Sequence, residues 1–243
     1  MKTLLRKLAE GKTKIVYASS VEDEVLLKFK DDVTALDGKK HDILPGKGVI
    51  NAGVSAKIFS LLRRRGIPTH FIGMVDSSTM RVKKLNMIPV EVVCRNIAAG
   101  HLVKNYPFFK KGEKLKTPLI EFYLKNDLFH DPLLSEEHLK VFGLMSKKEI
   151  NEIKKITLKV NKVLSSFMQK LGLQLVDFKL EFGRDKNGKL RVGDELNIDC
   201  MRLWDLKTGK SMDKDVYREG ADLDKVLQTY VQTYKLIVGK EPK

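Results

Sequence analysis

Alternating apolar and polar positions fill the first part of the chain and predict strands. Apolar runs at 14–17 and 24–29 follow a Gly-Lys turn and are separated by a polar link, which is the pattern of an antiparallel sheet. Three later segments, 69–75, 80–85 and 90–95, also alternate and are rich in β-branched residues. We therefore expect three further strands.

Apolar residues at helical spacing predict three helices. A stripe at 54–62 ends at the Gly-Ile-Pro of 66–68, while 46–53 has the composition of a loop. A longer stripe at 147–171 predicts the central helix of the second half, and the amphipathic segment 222–238 closes the chain. We expect the first helix to lie on the sheet.

Turn residues organise the remaining segments. Residues 104–145 contain three prolines and little periodicity, which indicates short elements and loops that often hold mobile site residues. In contrast, apolar runs at 173–182 and 190–196 flank Asn187-Gly188, which is a strong signal for a β-hairpin.

The length of 243 residues allows one large core or two modest ones, because domains most often hold about 100 to 150 residues. We expect two lobes that share one site. The N-terminal lobe would cover 1–85 and the larger C-terminal lobe 86–243.

Composition and charge narrow the class of protein. With 42% hydrophobic and 32% charged residues, the chain fits a folded globular protein and not a disordered or fibrous one. A net charge of +15 would favour nucleic acid if the lysines formed one face, but they are mixed with glutamates and aspartates and accompany no recognised nucleic-acid-binding motif. We expect no nucleic acid partner, while a positive cleft would suit a small phosphorylated substrate.

Neither a membrane span nor a disulfide framework is expected. No apolar run approaches about 18 residues, and the start of the chain lacks the apolar core of a signal peptide, so we predict a cytoplasmic protein with no membrane partner. Cys94 and Cys200 have no CxxC spacing for zinc, and we expect reduced, buried thiols.

A Gly-centred turn, Glu-Gly-Lys-Thr-Lys, occupies 10–14 between two predicted strands. Such a turn lets the backbone approach a phosphate while lysines supply charge. Its spacing differs from that of the P-loop and of dinucleotide-binding motifs, so on its own the segment fits an ordinary hairpin turn with solvated lysines better.

Charged residues alternate with apolar ones in the predicted hairpin. Asp177, Lys179 and Glu181 lie on one face of the first strand, and the return strand brings Asp194 and Glu195 near them. Converging carboxylates beside a lysine suit Mg²⁺ and nucleotide phosphates. A solvated sheet face with cross-strand ion pairs would show the same pattern, and the pattern alone favours neither interpretation.

Two arginines and two histidines are weaker candidates. Arg95 and Arg202 each follow an apolar run and could hold a phosphate through the guanidinium fork, although either alone is more often a surface ion-pair residue. In the sequence, no second candidate zinc ligand lies at the usual spacing from His101 or His130, and this favours a hydrogen-bonding role in loops for both histidines.

Residues 175–183, Leu-Val-Asp-Phe-Lys-Leu-Glu-Phe-Gly, and 88–100, Ile-Pro-Val-Glu-Val-Val-Cys-Arg-Asn-Ile-Ala-Ala-Gly, carry a resemblance to a known family. They are similar to the two characteristic motifs of the phosphoribosylaminoimidazole-succinocarboxamide synthase (SAICAR synthetase) family, with His101 where the family usually has serine. Shorter segments resemble the family in order and spacing and extend the resemblance over 8–238: 10–14, 125–132, 193–195, 202–205 and 212–215 with Arg218.

The resemblance implies an α+β, two-lobed fold, with ATP between an antiparallel-sheet N-terminal lobe and a larger C-terminal lobe. It implies the family's reaction, in which ATP, L-aspartate and carboxyaminoimidazole ribonucleotide (CAIR) give the succinocarboxamide SAICAR, ADP and phosphate in de novo purine biosynthesis. A carboxylate is a poor acyl donor, so the expected intermediate is an acyl phosphate. The family also implies Mg²⁺ and a homodimer.

The resemblance assigns roles to the residues that match its motifs. ATP would be bound by Gly11, Lys12, Thr13, Lys14, Ile15, Val16, Lys83, Leu85, Met87 and Glu181. Glu181 and Asp194 would ligate Mg²⁺, Lys179 would be catalytic, and Asp131 would lie in a catalytic loop that closes over the substrate. The ribonucleotide and aspartate would be bound by Arg95, His101, Asp199, Arg202, Lys214 and Arg218.

Two other functions stay open at this point. A kinase-like phosphotransferase acting on a small phosphorylated substrate would share the lobes but form no aspartate-dependent product. A basic RNA-binding protein would bind with a steep salt dependence and show no turnover.

Overall fold

The computed structural model describes residues 6–35 and 40–242; residues 1–5, part of the chain start that underlies the predicted cytoplasmic location, lie outside this range. The strands are β1 Lys7–Glu10, β2 Lys14–Ala18, β3 Glu24–Phe29, β4 Asp32–Ala35, β5 Lys40–Ile43, β6 Phe71–Met74, β7 Thr79–Lys83, β8 Asn86–Ile97, β9 Lys114–Leu124, β10 Leu133–Leu134, β11 Leu173–Arg184, β12 Leu190–Gly193 and β13 Met201–Asp205. The helices are α1 Lys47–Arg64, α2 His101–Asn105, α3 Glu136–Val141, α4 Lys147–Lys170, α5 Asp215–Arg218 and α6 Leu223–Val238.

Five strands from the first part of the chain form an antiparallel sheet in the order β1-β2-β3-β7-β6. The strands predicted at 14–17, 24–29, 69–75 and 80–85 are confirmed. The predicted position of the first helix on this sheet is also confirmed, because α1 contacts β3, β6 and β7 and covers their buried apolar side chains.

Helix α1 begins at Lys47, so the loop predicted at 46–53 is wrong. Gly46 precedes the helix in the left-handed conformation, with φ at 86°. The Asp31 carboxylate accepts the backbone N–H groups of Gly46 and Gly48 at 3.1 and 2.8 Å and thereby replaces a local side-chain cap.

The glycines that suggested a loop are instead required by close packing. A Cβ on Gly53 would lie 2.7 Å from the Tyr234 ring of α6, and a Cβ on Gly48 would lie 2.8 Å from the carbonyl oxygen of Phe29. Glycine is therefore the residue that lets α1 approach both the first sheet and α6.

The second sheet has six antiparallel strands, with β10-β9-β8-β11-β12 in order and β13 beside β11. The hairpin predicted across Asn187-Gly188 is confirmed as β11 and β12, in which Glu181 pairs with Gly193. The strand predicted at 90–95 is confirmed within β8, which pairs with both β11 and β9.

The prediction of short elements throughout 104–145 is wrong for β9, an eleven-residue strand inside the sheet. Pro118 made this segment resemble a loop, because proline removes a backbone donor from a sheet. The structure places Pro118 where the register is irregular: Arg95 pairs with Leu119 but Ile97 pairs with Lys114. The backbone N–H that Pro118 lacks is therefore missing at a position where the hydrogen-bonded pairing of β8 and β9 is already interrupted.

The two long predicted helices are confirmed. Helix α4 starts at a capping box formed by Ser146 and Glu149 and packs its buried stripe against β11 and β8. Helix α6 starts at the cap residue Asp222, ends at Gly239 and contacts α1. Antiparallel sheets with helices packed on them make the fold α+β, as predicted.

The division into lobes at 85/86 falls between β7 and β8 and stays a prediction. Buried apolar side chains from both sides of this point, such as Val82 and Val90, belong to one continuous core. In the described residues, no helix is long and apolar enough to cross a membrane.

Candidate active site

A cavity of about 720 Å³ lies between the turn that joins β1 to β2 and one face of the second sheet. Its walls come from that turn, from β8, β9, β11 and β13, and from the segments on either side of β13. Acidic and basic side chains dominate the lining. The cavity can therefore receive a highly charged ligand.

Strand β11 supplies the predicted row of charges. Asp177, Lys179 and Glu181 line the cavity, and Leu180 and Phe182 are buried in the core, as the alternation predicted. The charged face is thus the wall of a cavity and not an open, solvated sheet surface.

Lys179 and Glu181 are held as an ion pair with further partners. The Lys179 ammonium lies 2.6 Å from Glu91 and 3.2 Å from Glu181, and the Lys125 ammonium donates to both Glu181 oxygens at 2.7 and 2.6 Å. Burial alone would lower the pKa of Lys179, but Glu181 and Glu91 outweigh it and raise this pKa well above its ordinary value. Burial would raise the pKa of Glu181, and the two lysines reverse that effect, so the carboxylate is ionised.

The turn at 10–14 is joined to the segment after β12 through Lys14. The buried Lys14 ammonium forms ion pairs with Asp194 at 3.2 Å and with Glu195 at 2.5 Å, and Thr13 donates its hydroxyl to Glu195 at 3.0 Å. Burial would lower the pKa of Lys14, but the two carboxylates raise it. The interpretation as an ordinary turn with solvated lysines is therefore wrong for Lys14, which is buried. Lys12, in contrast, is exposed and pairs with Asp127.

The two candidate arginines share one carboxylate. Arg95 and Arg202 donate to the same oxygen of Asp177, at 3.0 and 2.9 Å. Arg95 also donates to Glu121, and its third nitrogen lies 3.4 Å from the Tyr123 hydroxyl, so protein groups surround its fork on all sides.

Arg202 is more open to a ligand than Arg95. Its Nε donates to Asp215 at 2.9 Å, and the guanidinium lies against the backbone of Gly100, where a Cβ would come within 2.7 Å of it. Gly100 has φ at 55° and ψ at −131°, a conformation that glycine adopts without strain. The start of α2, with His101, thereby lies beside the arginine.

Asp199, Lys214 and Arg218 complete this end of the cavity. Burial and the positive charge of Arg218 and Lys47 lower the pKa of Lys214, although the Asp199 carboxylate opposes them. Arg218 donates to Asp215. This end of the cavity therefore carries cations suited to phosphate or carboxylate groups.

The loop before β10 closes one side of the cavity. Asp131 lines it in the left-handed conformation, with φ at 47°, and its carboxylate accepts the N–H of Asn126 at 2.7 Å. His130 and Asp127 of the same loop also line the cavity.

Most predicted site residues line this cavity, but four do not: Ile15, Lys83, Leu85 and Met87. Leu85 and Met87 pack beside Gly193, where a Cβ would lie 3.0 and 3.3 Å from their side chains. Gly193 directly precedes Asp194 in the sequence, so Leu85 and Met87 pack against the neighbour of a cavity residue. Their contact with the adenine base stays a prediction.

Several lining residues of β8 and β9 were not predicted from the sequence. Glu91 and Val93 lie on the cavity face of β8 together with the predicted Arg95, while Tyr123 lies near the end of β9 and Lys125 directly follows that strand. The alternation in β8 could have revealed Glu91. Lys125 and Tyr123 were hidden because their segment resembled a loop.

Asp213 lies buried behind the cavity wall, where its oxygens accept the N–H groups of Leu203 and Asp215 at 2.7 Å each. Burial, with the nearby Asp215 carboxylate, raises the pKa of Asp213 from 3.8 to about 7.

The folded protein holds the Asp213 proton more tightly than the unfolded chain does. The protonated carboxyl therefore contributes most to stability below about pH 4, and this contribution is lost as pH rises to about 7. We expect the Tm of wild type to fall relative to that of Asp213→Asn between about pH 5 and pH 8. A Tm difference that stays constant over this interval would contradict the assignment.

Sequence comparisons match this chain to one family over nearly its whole length. The sequence model of the family described as SAICAR synthetase matches residues 7–236. A phosphoribosylaminoimidazole-succinocarboxamide synthase of Sulfolobus acidocaldarius is 51% identical over 96% of this chain and 98% of its own, and that of Sulfurisphaera tokodaii is 53% identical over 95% and 97%.

Solved structures show the same fold. A SAICAR synthetase in complex with ADP superposes with a TM-score of 0.91 at 45% identity, covering 97% of this chain and 99% of that one. A phosphoribosylaminoimidazole-succinocarboxamide synthase from Ehrlichia chaffeensis gives 0.92 at 40% identity, with coverage of 98% and 100%.

Proposed function

Because this chain belongs to the SAICAR synthetase family, we propose that the charged cavity is where it binds its three substrates and joins two of them. The protein is a ligase of purine biosynthesis that uses ATP to couple L-aspartate to CAIR, giving SAICAR. The observation that carries the site assignment is the meeting of the Glu181 and Asp194 carboxylates, three lysines and an open arginine in one cavity.

ATP binds at the end of the cavity nearest the Gly-Lys turn. The related structure that contains ADP supports nucleotide binding by this fold. Residues 11–14 face the phosphates, with Ile15 and Val16 near the adenine. The inter-lobe edge, formed by Lys83, Leu85 and Met87, contacts the base.

Glu181 and Asp194 fit a Mg²⁺ site. Both carboxylates line the cavity, and Mg²⁺ in phosphoryl-transfer sites is bound by one or two carboxylates plus substrate phosphates and water. Within the described residues no set of three His, Cys, Asp or Glu side chains forms a metal site, and a metal shared with ATP does not need one. When bound, Mg²⁺ would neutralise charge on the phosphate oxygens.

Phosphoryl transfer is the first chemical step. A CAIR carboxylate oxygen attacks the γ-phosphorus, the bond from that phosphorus to the bridging oxygen breaks, and ADP leaves. Lys179 stays protonated and stabilises the negative charge that develops on the phosphoryl group.

Amide formation is the second step. The ammonium of aspartate gives one proton to water, its nitrogen attacks the acyl carbon, and a second proton goes to water as the amide forms. The bond from the acyl carbon to the phosphorylated oxygen breaks, and phosphate leaves with the oxygen that it received from CAIR. Arg202 binds the phosphate of the ribonucleotide, with Arg95 behind it and His101 beside it. Asp199 accepts a hydrogen bond from a ribose hydroxyl. Lys214 and Arg218 hold the carboxylates of aspartate, and the loop with Asp131 closes over the substrates.

The acyl phosphate is tested by oxygen transfer. CAIR labelled with ¹⁸O at both carboxylate oxygens should deliver one label to each phosphate released and keep the other in the amide of SAICAR, as mass spectrometry would show. Phosphate without label would rule out the acyl phosphate, while SAICAR formation itself would still report the ligase activity.

Lys14→Ala should raise the KM for ATP more than the KM for CAIR, because Lys14 lines the cavity in the turn that we assign to the nucleotide phosphates. Steady-state kinetics with each substrate varied in turn measures both constants. The variant is assayed below its Tm, since Glu195 loses an ion-pair partner. Equal effects on both substrates would place Lys14 elsewhere.

The homodimer implied by the family and the cytoplasmic location stay predictions. Sedimentation equilibrium of the purified protein would test the dimer directly.

A further inference from the structure

Both oxygens of Asp199 are held by buried groups that lie outside the cavity. The Tyr230 hydroxyl of α6 donates to Oδ1 at 2.5 Å, and the Lys47 ammonium at the start of α1 lies 2.7 Å from Oδ2. Tyr230 and Lys47 have no exposed surface, and neither lines the cavity, whereas Asp199 does. Neither side chain can touch a substrate in the cavity directly, and both contact the cavity lining at Asp199.

Burying a charged lysine and a tyrosine hydroxyl is costly unless each has a partner. The contact of Lys47 with Asp199 is short, but its direction departs from that of a hydrogen bond, so the attraction is mainly between opposite charges. Burial alone would raise the pKa of Asp199. Lys47 and Lys214 outweigh burial and hold this pKa well below its usual range.

An aspartate that is ionised in this way accepts hydrogen bonds but is a poor proton acceptor in catalysis. Each carboxylate oxygen can accept more than one hydrogen bond, so Asp199 keeps acceptor capacity toward the cavity after Tyr230 has donated to it. Its partners come from α1 and α6, which pack together, so the direction of the carboxylate is fixed by two helices rather than by its own short turn.

We propose that Lys47 and Tyr230 are positioning residues that hold Asp199 as a fixed acceptor for a ribose hydroxyl of the ribonucleotide. The inference rests on the proposed function, in which Asp199 faces CAIR. A fixed acceptor lowers the entropy lost when the hydroxyl binds, so its effect falls on the affinity for CAIR and not on phosphoryl transfer.

Tyr230→Phe removes the hydroxyl and keeps the ring. We expect the KM for CAIR to rise about three- to tenfold, which corresponds to the loss of part of one hydrogen bond to a charged group. The KM for ATP and kcat should stay within about twofold of wild type. Tyr234→Phe is the matched control, because Tyr234 is buried on the same helix but the hydrogen bond to Asp199 comes from Tyr230. This variant should leave all three constants unchanged.

A double-mutant cycle with Asp199→Asn separates positioning from a general structural role. If Tyr230 acts through Asp199, Tyr230→Phe should add less than about twofold to the KM for CAIR in the Asp199→Asn background. Lys47→Met provides a second variant with the same expected behaviour, and all variants are assayed below their Tm.

The outcomes are distinguishable. A KM for CAIR that Tyr230→Phe leaves unchanged, or raises equally in both backgrounds, overturns the inference. If Asp199→Asn alone still raises this KM, the ribonucleotide site stands without the positioning pair. If Asp199→Asn leaves it unchanged, both the inference and the placement of Asp199 are wrong.

Discussion

Glu181→Gln should reduce kcat by at least about a hundredfold while the fold remains intact, because removing one group that stabilises transition-state charge typically costs about a hundred- to a thousandfold in kcat. Glu181 is ionised and buried, with two lysines at its oxygens. An amide in its place cannot neutralise Lys125 and Lys179 and is a weaker ligand for Mg²⁺. Asp194→Asn should have a comparable effect, as measured by SAICAR formation at saturating substrates.

Glu149→Gln is the matched control for the change of charge. Glu149 pairs with Arg184 at 2.6 Å at the start of α4, outside the cavity, and Arg184 lowers its pKa to about 2. This variant should lose stability and keep its kcat. Near-normal kcat of Glu181→Gln or Asp194→Asn at ordinary Mg²⁺ would remove that residue from the metal site.

Arg202→Ala should raise the KM for CAIR about ten- to a hundredfold, since hydrogen bonds to charged groups contribute about 1.5 to 3 kcal/mol. The guanidinium is oriented by Asp177 and Asp215 and lies against Gly100 at the cavity wall. Arg202→Lys should recover only part of the affinity, because an ammonium cannot make the two parallel bonds of a guanidinium. The constants for ATP and aspartate should change little.

The same experiment tests whether Arg202 serves only as an ion-pair residue that stabilises the fold. Its two carboxylate partners show that it also forms ion pairs, so some loss of Tm is expected. Arg184→Ala, which breaks an ion pair outside the cavity, shows how much stability such a loss costs. A strong fall in Tm with an unchanged KM for CAIR would make Arg202 structural and the proposed phosphate site wrong.

The local pattern predicted the charged face of β11 but not the residues that surround it. Alternation in one strand and the Asn187-Gly188 turn were sufficient to place Asp177, Glu181 and Asp194 in one region, because both signals depend on near neighbours in sequence. The alternative interpretation of these charges, a solvated sheet face with cross-strand ion pairs, could be rejected only once the cavity was known.

Non-local pairing explains what the sequence did not reveal. Lys125 approaches Glu181 because β9 pairs with β8, and Pro118 concealed that strand. Lys47 approaches Asp199 because α1 contacts the 3-10 turn Ile198–Cys200, and Gly53, which a sequence pattern assigns to a loop, lets α6 pack on the same helix. Both contacts join segments far apart in the chain, and no local propensity encodes them.

The aspartate-dependent ligase activity is tested most directly by ADP release, measured with each substrate omitted in turn. We predict that rapid ADP release requires CAIR and L-aspartate together and that one SAICAR forms for each ADP. ADP release at full rate with CAIR alone, with no aspartate-dependent product, would show a phosphotransferase and contradict the ligase activity.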